Sequence, residues 1–313
     1  MGWWQVNADT LAGSRFVISP LAEATASLIV LEKGTATHPG ERPWLGAHLP
    51  AYRTRLASDP VTALLVRTAL GRHWIADCFT LAPTAAGEPV LSEELARVRG
   101  RSPEAVRKDL TVSLGGPLPA SLDRPDLPGR AADLLEWVWQ ETVLPYWPRR
   151  RRIMEADIVA RTRQLSQGGW AAALADMRPG MRWLGQGRLQ INTYNYPPRQ
   201  IAGAQLLFVP VTPRQGWASW DIPHRYAVVY PCSGVLAQPV PAPVPEALGA
   251  LLGPARADVL VLLETPKKHD TAGGTDRPGA GLGGPPPQDP ARRPPGAAQA
   301  RRAVRAVLPH GGW

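Results

Sequence analysis

The C-terminal part of the 313-residue chain constrains the fold most. Large apolar residues become rare there, directly after two predicted helices whose apolar faces still need partners. Residues 266–313 contain 9 Pro and 9 Gly, and their large apolar residues are Leu282, Val304, Val307, Leu308 and Trp313. Such a segment buries too little apolar surface to offset its ordering entropy, so we expect 267–313 to be a disordered tail. The preceding stretch, "PEALGALLGPARADVLVLLE", predicts two helices whose apolar faces need further neighbours.

The first 234 residues have the pattern of a mainly helical α+β domain. "SPLAEATASLIVLE" predicts a helix capped by Ser19 with proline in its first turn, and "SDPVTALLVRTAL" repeats the device with Asp59 as the cap. Ser92 and Ser102 are expected to cap two more short helices. This part of the chain is therefore predicted to form a helical bundle joined by loops rich in proline and glycine.

Later segments predict a long broken helix followed by strands. In "AADLLEWVWQETVLPYWPRRRRIMEADIVARTRQLSQGG", Pro145 and Pro148 should break the helix, and Gly168-Gly169 should end it. "MRWLGQGRLQIN" has the pattern of a hairpin, and "AQLLFVPV" and "RYAVVYPC" have the pattern of strands, as does "WWQVNADTLAGSRFVIS" near the N-terminus. We expect a small antiparallel sheet over 181–232, packed on the helices.

A proline-rich stretch, "VLAQPVPAPVP", divides the chain at 235–245. The predicted organisation is a domain over 1–234, this stiff linker, the two helices within 246–266 and the tail over 267–313. Of the formal net charge of +9, the segment from Pro266 carries +5, so the body is close to neutral and gives little indication of a polyanionic partner.

The two cysteines, Cys78 and Cys232, are too far apart in sequence for a zinc-finger spacing or a disulfide framework. We therefore expect a reducing compartment, no metal and no cofactor. The N-terminus lacks the pattern of a secretory signal, and the longest apolar runs are too short to span a bilayer, so a cytoplasmic protein with no membrane association is expected.

No motif indicates catalysis. "GAGLGG" matches the sequence pattern of a dinucleotide-binding fingerprint, but that fingerprint functions only between a strand and a helix. Here no strand is predicted before it and three prolines follow it. The six histidines are scattered, and no nucleophile elbow, phosphate-binding loop or H-E-x-x-H sequence occurs. We therefore predict that the protein is not an enzyme. An enzyme built on the first domain stays an alternative, because carboxylate sites leave little local trace.

Two groups of residues are candidates for binding. Twelve tryptophans are many for this length, and Trp137, Trp139, Trp147 and Trp183 could line a pocket for a small apolar effector or could be ordinary core. The four arginines 149–152 in "PRRRRIMEAD" could contact phosphate or form a solvated helix face paired with nearby acids.

The order of several segments gives the chain a resemblance to a known family. "SRFVISPLAEATASL", "LPYWPRRRRIMEADIVARTRQLSQGGWAAALADMRPGMRW", "LLFVPV", "VVYP" and "LGALLGPARADVLVLLETP" occur in one order over residues 14–266. This resembles the actinobacterial ArsR-like winged-helix transcriptional regulators, which carry a long N-terminal domain ahead of a DNA-binding domain. The resemblance implies DNA as a partner, a homodimer, and regulatory and dimerisation roles for residues 1–234.

In that family "ARADVLVLLETP" matches the first helix of the winged helix-turn-helix, after which a recognition helix and a wing should follow. This chain departs from the pattern at Lys267 or Lys268. Our hypothesis is a frameshift that removes the base-reading elements. The arginines left in the tail would contact phosphates weakly and without sequence preference: Arg292, Arg293, Arg301, Arg302 and Arg305. A ligand- or protein-binding module without DNA contact is the alternative function.

Overall fold

The computed structural model describes residues 2–71, 74–84, 87–194 and 196–233. These residues form an α+β structure, as predicted. The predicted linker over 235–245, the helices within 246–266 and the tail over 267–313 lie outside the described residues. No helix in the described part of the chain combines the length and the apolar character that a membrane crossing requires.

The helices follow the predicted caps with one exception. They are α1 Ala8–Ala12, α2 Pro20–Lys33, α3 Arg42–Ser58, α4 Pro60–Ala69, α5 Leu91–Arg99, α6 Pro103–Leu114, α7 Leu127–Val138 and α8 Trp147–Leu174. The side chains of Ser19, Asp59 and Ser102 each accept a hydrogen bond from the backbone N–H three residues further on, which confirms these three caps.

Ser92 was predicted as a cap, and this prediction is wrong, because α5 begins at Leu91. The start of α5 is set by a tertiary contact made by Glu94. Its carboxylate accepts hydrogen bonds from the Ser19 hydroxyl at 2.6 Å and from the Leu21 N–H at 2.8 Å. The first turn of α5 is therefore fixed against the N-terminus of α2, and the local capping signal is overridden.

The predicted break between α7 and α8 is confirmed. A π-helical segment over Trp139–Val143 and a 3-10 turn over Leu144–Tyr146 separate the two helices, and Pro148 lies in the first turn of α8. Near its end α8 is interrupted at Gly169, whose φ of 66° and ψ of −168° are not helical. Gly169 thus interrupts the helix at the predicted position, and helical structure resumes after it and ends at Leu174.

The strands form two four-stranded sheets. They are β1 Trp3–Gln5, β2 Arg15–Phe16, β3 Arg182–Trp183, β4 Arg188–Gln190, β5 Arg199–Gln200, β6 Gln205–Val211, β7 Trp217–Asp221 and β8 Arg225–Pro231. The first sheet has the order β3-β4-β1-β5, and the second has the order β2-β6-β8-β7. The predicted hairpin is the antiparallel pair β3 and β4.

The sheets are mixed rather than purely antiparallel as predicted. β6 pairs in parallel with both β2 and β8, and β1 pairs in parallel with β5. The reason is burial of both faces of the second sheet. Leu206 and Phe208 face one core and Leu207 and Val209 face another, so the strand is a continuous apolar run of the kind found in parallel sheets.

Helix α2 joins the helical core to this sheet. Its Leu21, Leu28 and Leu31 pack among the other helices, while Ala26 and Ile29 pack against the second sheet. All residues of α2 from Pro20 to Leu31 are buried, as expected for a helix with few polar residues and no continuous polar face. The C-terminal end of α2 is thereby placed beside the second sheet.

Candidate ligand-binding cavity

A cavity of about 600 Å³ lies where the end of α2, β1 and β7 meet the segments 70–71, 74–80, 191–194 and 196–197. Its volume falls in the range of small-molecule sites. The walls are rich in aromatic side chains, namely Trp3, Trp4, Trp74, Tyr194, Tyr196, Trp217 and Trp220.

The aromatic side chains around Trp74 form a connected wall. The Trp74 and Trp220 ring centroids are 5.4 Å apart, and those of Trp74 and Tyr196 are 5.9 Å apart in an edge-to-face arrangement. Tyr194 contacts Tyr196 at 6.1 Å, and the Arg199 guanidinium lies 4.1 Å from the centre of the Trp220 ring. These are the separations at which aromatic pairs and cation–π pairs attract, so the wall is preorganised.

Arg178 lines the cavity from the segment between α8 and β3. It has no salt bridge to an acid within the described residues, and its Nη1 is buried without a hydrogen-bond partner there. Burial lowers the pKa of Arg178 to about 10, while Tyr194 acts in the opposite direction. At neutral pH the guanidinium is therefore still a cation, with no carboxylate of the described chain compensating it.

Gly216 makes room for the Arg178 side chain. A Cβ at this glycine would lie 3.1 Å from Arg178 Cδ and 2.9 Å from the Val229 carbonyl oxygen. Because the Val229 oxygen belongs to the backbone of β8, it cannot move aside cheaply. Glycine at position 216 thus lets Arg178 lie close to the end of the sheet.

Lys33, Gln215 and Asp77 are among the other charged or polar residues that line the cavity. Lys33 Nζ donates to Gln215 Oε1 at 2.9 Å, and Gln215 Nε2 is buried without a partner among the described residues. Burial raises the pKa of Asp77 to about 6, and Asp109 acts in the same direction, while Arg101 and Arg199 oppose the shift. Asp77 is the only carboxylate among the described lining residues, so the cavity carries an excess of positive charge.

The tryptophans singled out from the sequence lie elsewhere. Trp139 and Trp147 contact each other edge to face at 4.8 Å in the helical core, where Trp137 packs 6.4 Å from Tyr52. Trp183 packs against the core between the sheets. The structure does not bring the four together, and none of them lines the cavity. The tail arginines Arg292, Arg293, Arg301, Arg302 and Arg305 lie outside the described residues.

Sequence reasoning missed Trp74, Trp220 and Arg178. No local motif marks them, because the cavity is assembled from segments far apart in the chain. The high tryptophan content is the only signal of the cavity in the sequence. The tryptophans that lie close together in the sequence, however, are not the ones that line the cavity.

The arginine run over 149–152 is split between the interior and the surface. Arg151 forms exposed ion pairs with Glu88 and Glu155, as a solvated helix face would. Arg150 points inward, and its Nη1 donates to Glu23 Oε1 at 2.6 Å. The run therefore ties α8 to α2.

A second buried arginine connects α8 with the end of β8. Arg161 Nη1 donates to the carbonyl oxygens of Ala173 and Ala175, each at 2.9 Å. Asp157 accepts a hydrogen bond from the Ser233 N–H at 2.7 Å. These contacts fix the segment that leads to Arg178 and the point where β8 ends.

Neither cysteine contributes to a site in the described chain. Cys78 and Cys232 are free and buried, and burial raises the pKa of both thiols. Over the described ranges, no group of three or more His, Cys, Asp and Glu side chains is arranged to hold a metal ion.

Comparison of the chain with models of protein families, with curated proteins and with solved structures finds no match.

Proposed function

We propose that residues 2–233 form the ligand-binding domain of a transcriptional regulator, and that the aromatic cavity receives its effector. The observation that carries this proposal is the cavity itself, which combines a volume of about 600 Å³, an aromatic wall and the uncompensated Arg178 cation. Small-molecule sites have this composition, with apolar walls and a few placed polar groups.

The lining favours binding over catalysis. General acid–base chemistry usually needs two groups with matched protonation roles, and Asp77 is the only carboxylate among the described lining residues. No histidine is among these lining residues either. The enzyme alternative therefore has less support than a binding role.

The regulatory part of the proposal depends on the resemblance to the ArsR-like regulators. DNA as the partner, a homodimer and a cytoplasmic location are inferred from that resemblance and from the composition. Reading of base edges needs ordered side chains in a groove, and in our frameshift hypothesis the elements that would supply them are missing from the chain as printed.

Two measurements test the two parts. A thermal-shift screen of the full chain against a library of small aromatic compounds should yield at least one compound that raises the unfolding temperature, because a ligand bound only to the folded state stabilises it. A library that leaves the unfolding temperature unchanged contradicts the effector role. A control variant with the cavity filled, Ala218→Trp, should lose the shift.

The DNA-binding part is tested by a mobility-shift assay on the gene's own promoter. A chain with the reading frame restored after Thr265 should bind it specifically, and the chain as printed should bind weakly and lose this binding at high salt. Ligand binding without any specific DNA binding by the restored chain would favour the alternative, a ligand-binding module without DNA contact. The near-neutral charge of the body is the observation that keeps this alternative open.

A further inference from the structure

We propose that the ligand of this cavity is a planar aromatic carboxylate, whose ring packs against Trp74 and Trp220 and whose carboxylate pairs with Arg178. The inference rests on the proposed ligand-binding function and adds the chemical class of the ligand. It follows from the wall and from the distribution of charge around it.

The wall selects a flat ring system. Trp74 and Trp220 both line the cavity and are only partly buried, so part of each indole is available to a ligand. Their ring planes are inclined by 58° to each other, and Tyr196 meets Trp74 edge to face. A planar ring can stack on one indole and present its edge to the other, which a saturated ring of the same size cannot do.

The distribution of charge favours an anionic group on the ligand. Lys33 is exposed and hydrogen-bonded to Gln215, and Arg199 is stacked on Trp220, where it also interacts with Asp77. Among the cations of the described lining, Arg178 is partly buried and has no acid partner. One carboxylate on the ligand would compensate the Arg178 cation.

A second lining residue, Gln215, also carries a donor without a partner. Gln215 Nε2 is buried without a partner in the described chain, and Gln215 adjoins Gly216, which the Arg178 side chain covers. A guanidinium and an amide N–H₂ on the same side of a cavity can supply hydrogen bonds to both oxygens of a carboxylate.

The test compares three probes by isothermal titration calorimetry on the full chain. 2-Naphthoate has the ring and the charge, 2-naphthamide has the ring alone, and trans-decahydro-2-naphthoate has the charge without the planar ring. We expect 2-naphthoate to bind roughly tenfold to a hundredfold more tightly than 2-naphthamide, which corresponds to one charge-assisted pairing. We also expect it to bind more tightly than trans-decahydro-2-naphthoate, because the saturated ring cannot stack on the indoles.

Two variants assign the effect to residues. Arg178→Gln should remove the preference for 2-naphthoate over 2-naphthamide, while Arg163→Gln, an exposed arginine on α8 that does not line the cavity, should keep it. Trp220→Leu should weaken both planar probes to a similar degree. Because Arg178 has no acid partner in the described chain, its replacement should not lower the unfolding temperature, so loss of binding would not reflect loss of folding.

The outcomes separate the two proposals. Equal binding of 2-naphthoate and 2-naphthamide would overturn the carboxylate assignment and leave the ligand-binding function standing. The same holds if Arg178→Gln retains the full preference. If none of the probes binds and no compound in the thermal-shift screen does, both proposals are overturned.

Discussion

The buried ion pair between Arg150 and Glu23 gives the sharpest prediction about stability. Glu23 is fully buried and Arg150 is 9% exposed. Arg150 Nη1 donates to Glu23 Oε1 at 2.6 Å and to Ser27 Oγ at 2.9 Å, and Thr212 donates to Glu23 through both its N–H and its hydroxyl. The perturbation is Arg150→Met, which keeps the bulk of the side chain and removes the charge.

The expected loss follows from what the substitution leaves behind. Without Arg150 the Glu23 carboxylate stays buried with only the Thr212 donors and no cation. Removing one partner of a buried ion pair costs about 3–5 kcal/mol in the free energy of unfolding. The neighbouring Arg151 pairs with exposed Glu88 and Glu155, and Arg151→Met should cost less than about 1 kcal/mol.

Urea denaturation followed by far-ultraviolet circular dichroism measures both losses. A double variant, Glu23→Gln with Arg150→Met, should recover part of the loss, because it no longer buries an unpaired charge. If Arg150→Met and Arg151→Met shift the free energy of unfolding by the same small amount, the pair does not join α2 to α8 as described, and the reasoning from burial fails.

Burial raises the pKa of Glu94 from 4.5 to about 6, so this carboxyl group stays protonated up to a higher pH in the folded state than in the unfolded state. Its contribution to the free energy of unfolding should therefore fall by about 2 kcal/mol between pH 4.5 and 6, and Glu94→Gln should flatten that part of the stability curve; an unchanged slope would contradict the assignment. Gly169→Ala should destabilise by about 1–3 kcal/mol because of the positive φ, whereas Gly46→Ala, exposed within α3, should stabilise by about 0.5–1 kcal/mol in the same urea experiment. Cys78 and Cys232 should react with a disulfide reagent such as dithiobis-nitrobenzoate only as fast as the chain unfolds, and rapid labelling at neutral pH would show that a thiol is accessible.

The sequence predicts those helices whose ends carry a local signal, namely a capping side chain or a proline. Ser19, Asp59 and Ser102 act as caps because their side chains bond to the following turn, and this geometry needs no distant partner. The break near Pro145 is predictable for the same reason, since proline cannot continue the backbone hydrogen bonding of a helix.

Helix α3 could not be predicted in this way. It contains Gly46 and Pro50, both of which disfavour a helix interior, and its apolar residues show little periodicity. The buried side chains of Leu45 and Tyr52 hold it in place, and the Tyr52 hydroxyl donates to Glu32 on α2 at 2.6 Å. Tertiary packing thus overrides the propensity of this segment.

The direction of strand pairing and the cavity lie beyond local patterns for a related reason. The apolar sequences of β6 and β8 are compatible with either parallel or antiparallel pairing. The parallel arrangement is favoured only because both faces of the sheet are buried. Trp74, Arg178 and Trp220 come together only when the whole domain is folded. A single sequence carries no sign of this convergence.

The most direct test of the ligand-binding site is a titration of the chain, labelled with ¹⁵N at its tryptophans, with 2-naphthoate, followed through the indole N–H resonances. Trp74 and Trp220 line the cavity, while Trp137 and Trp139 lie in the helical core. We expect the resonances of Trp74 and Trp220, assigned by substitution, to shift with saturation, and those of Trp137 and Trp139 to stay in place. Shifts confined to Trp137 and Trp139 would contradict the proposal that this cavity is the ligand site, and no shift at all would contradict the proposal that its ligand is a planar aromatic carboxylate.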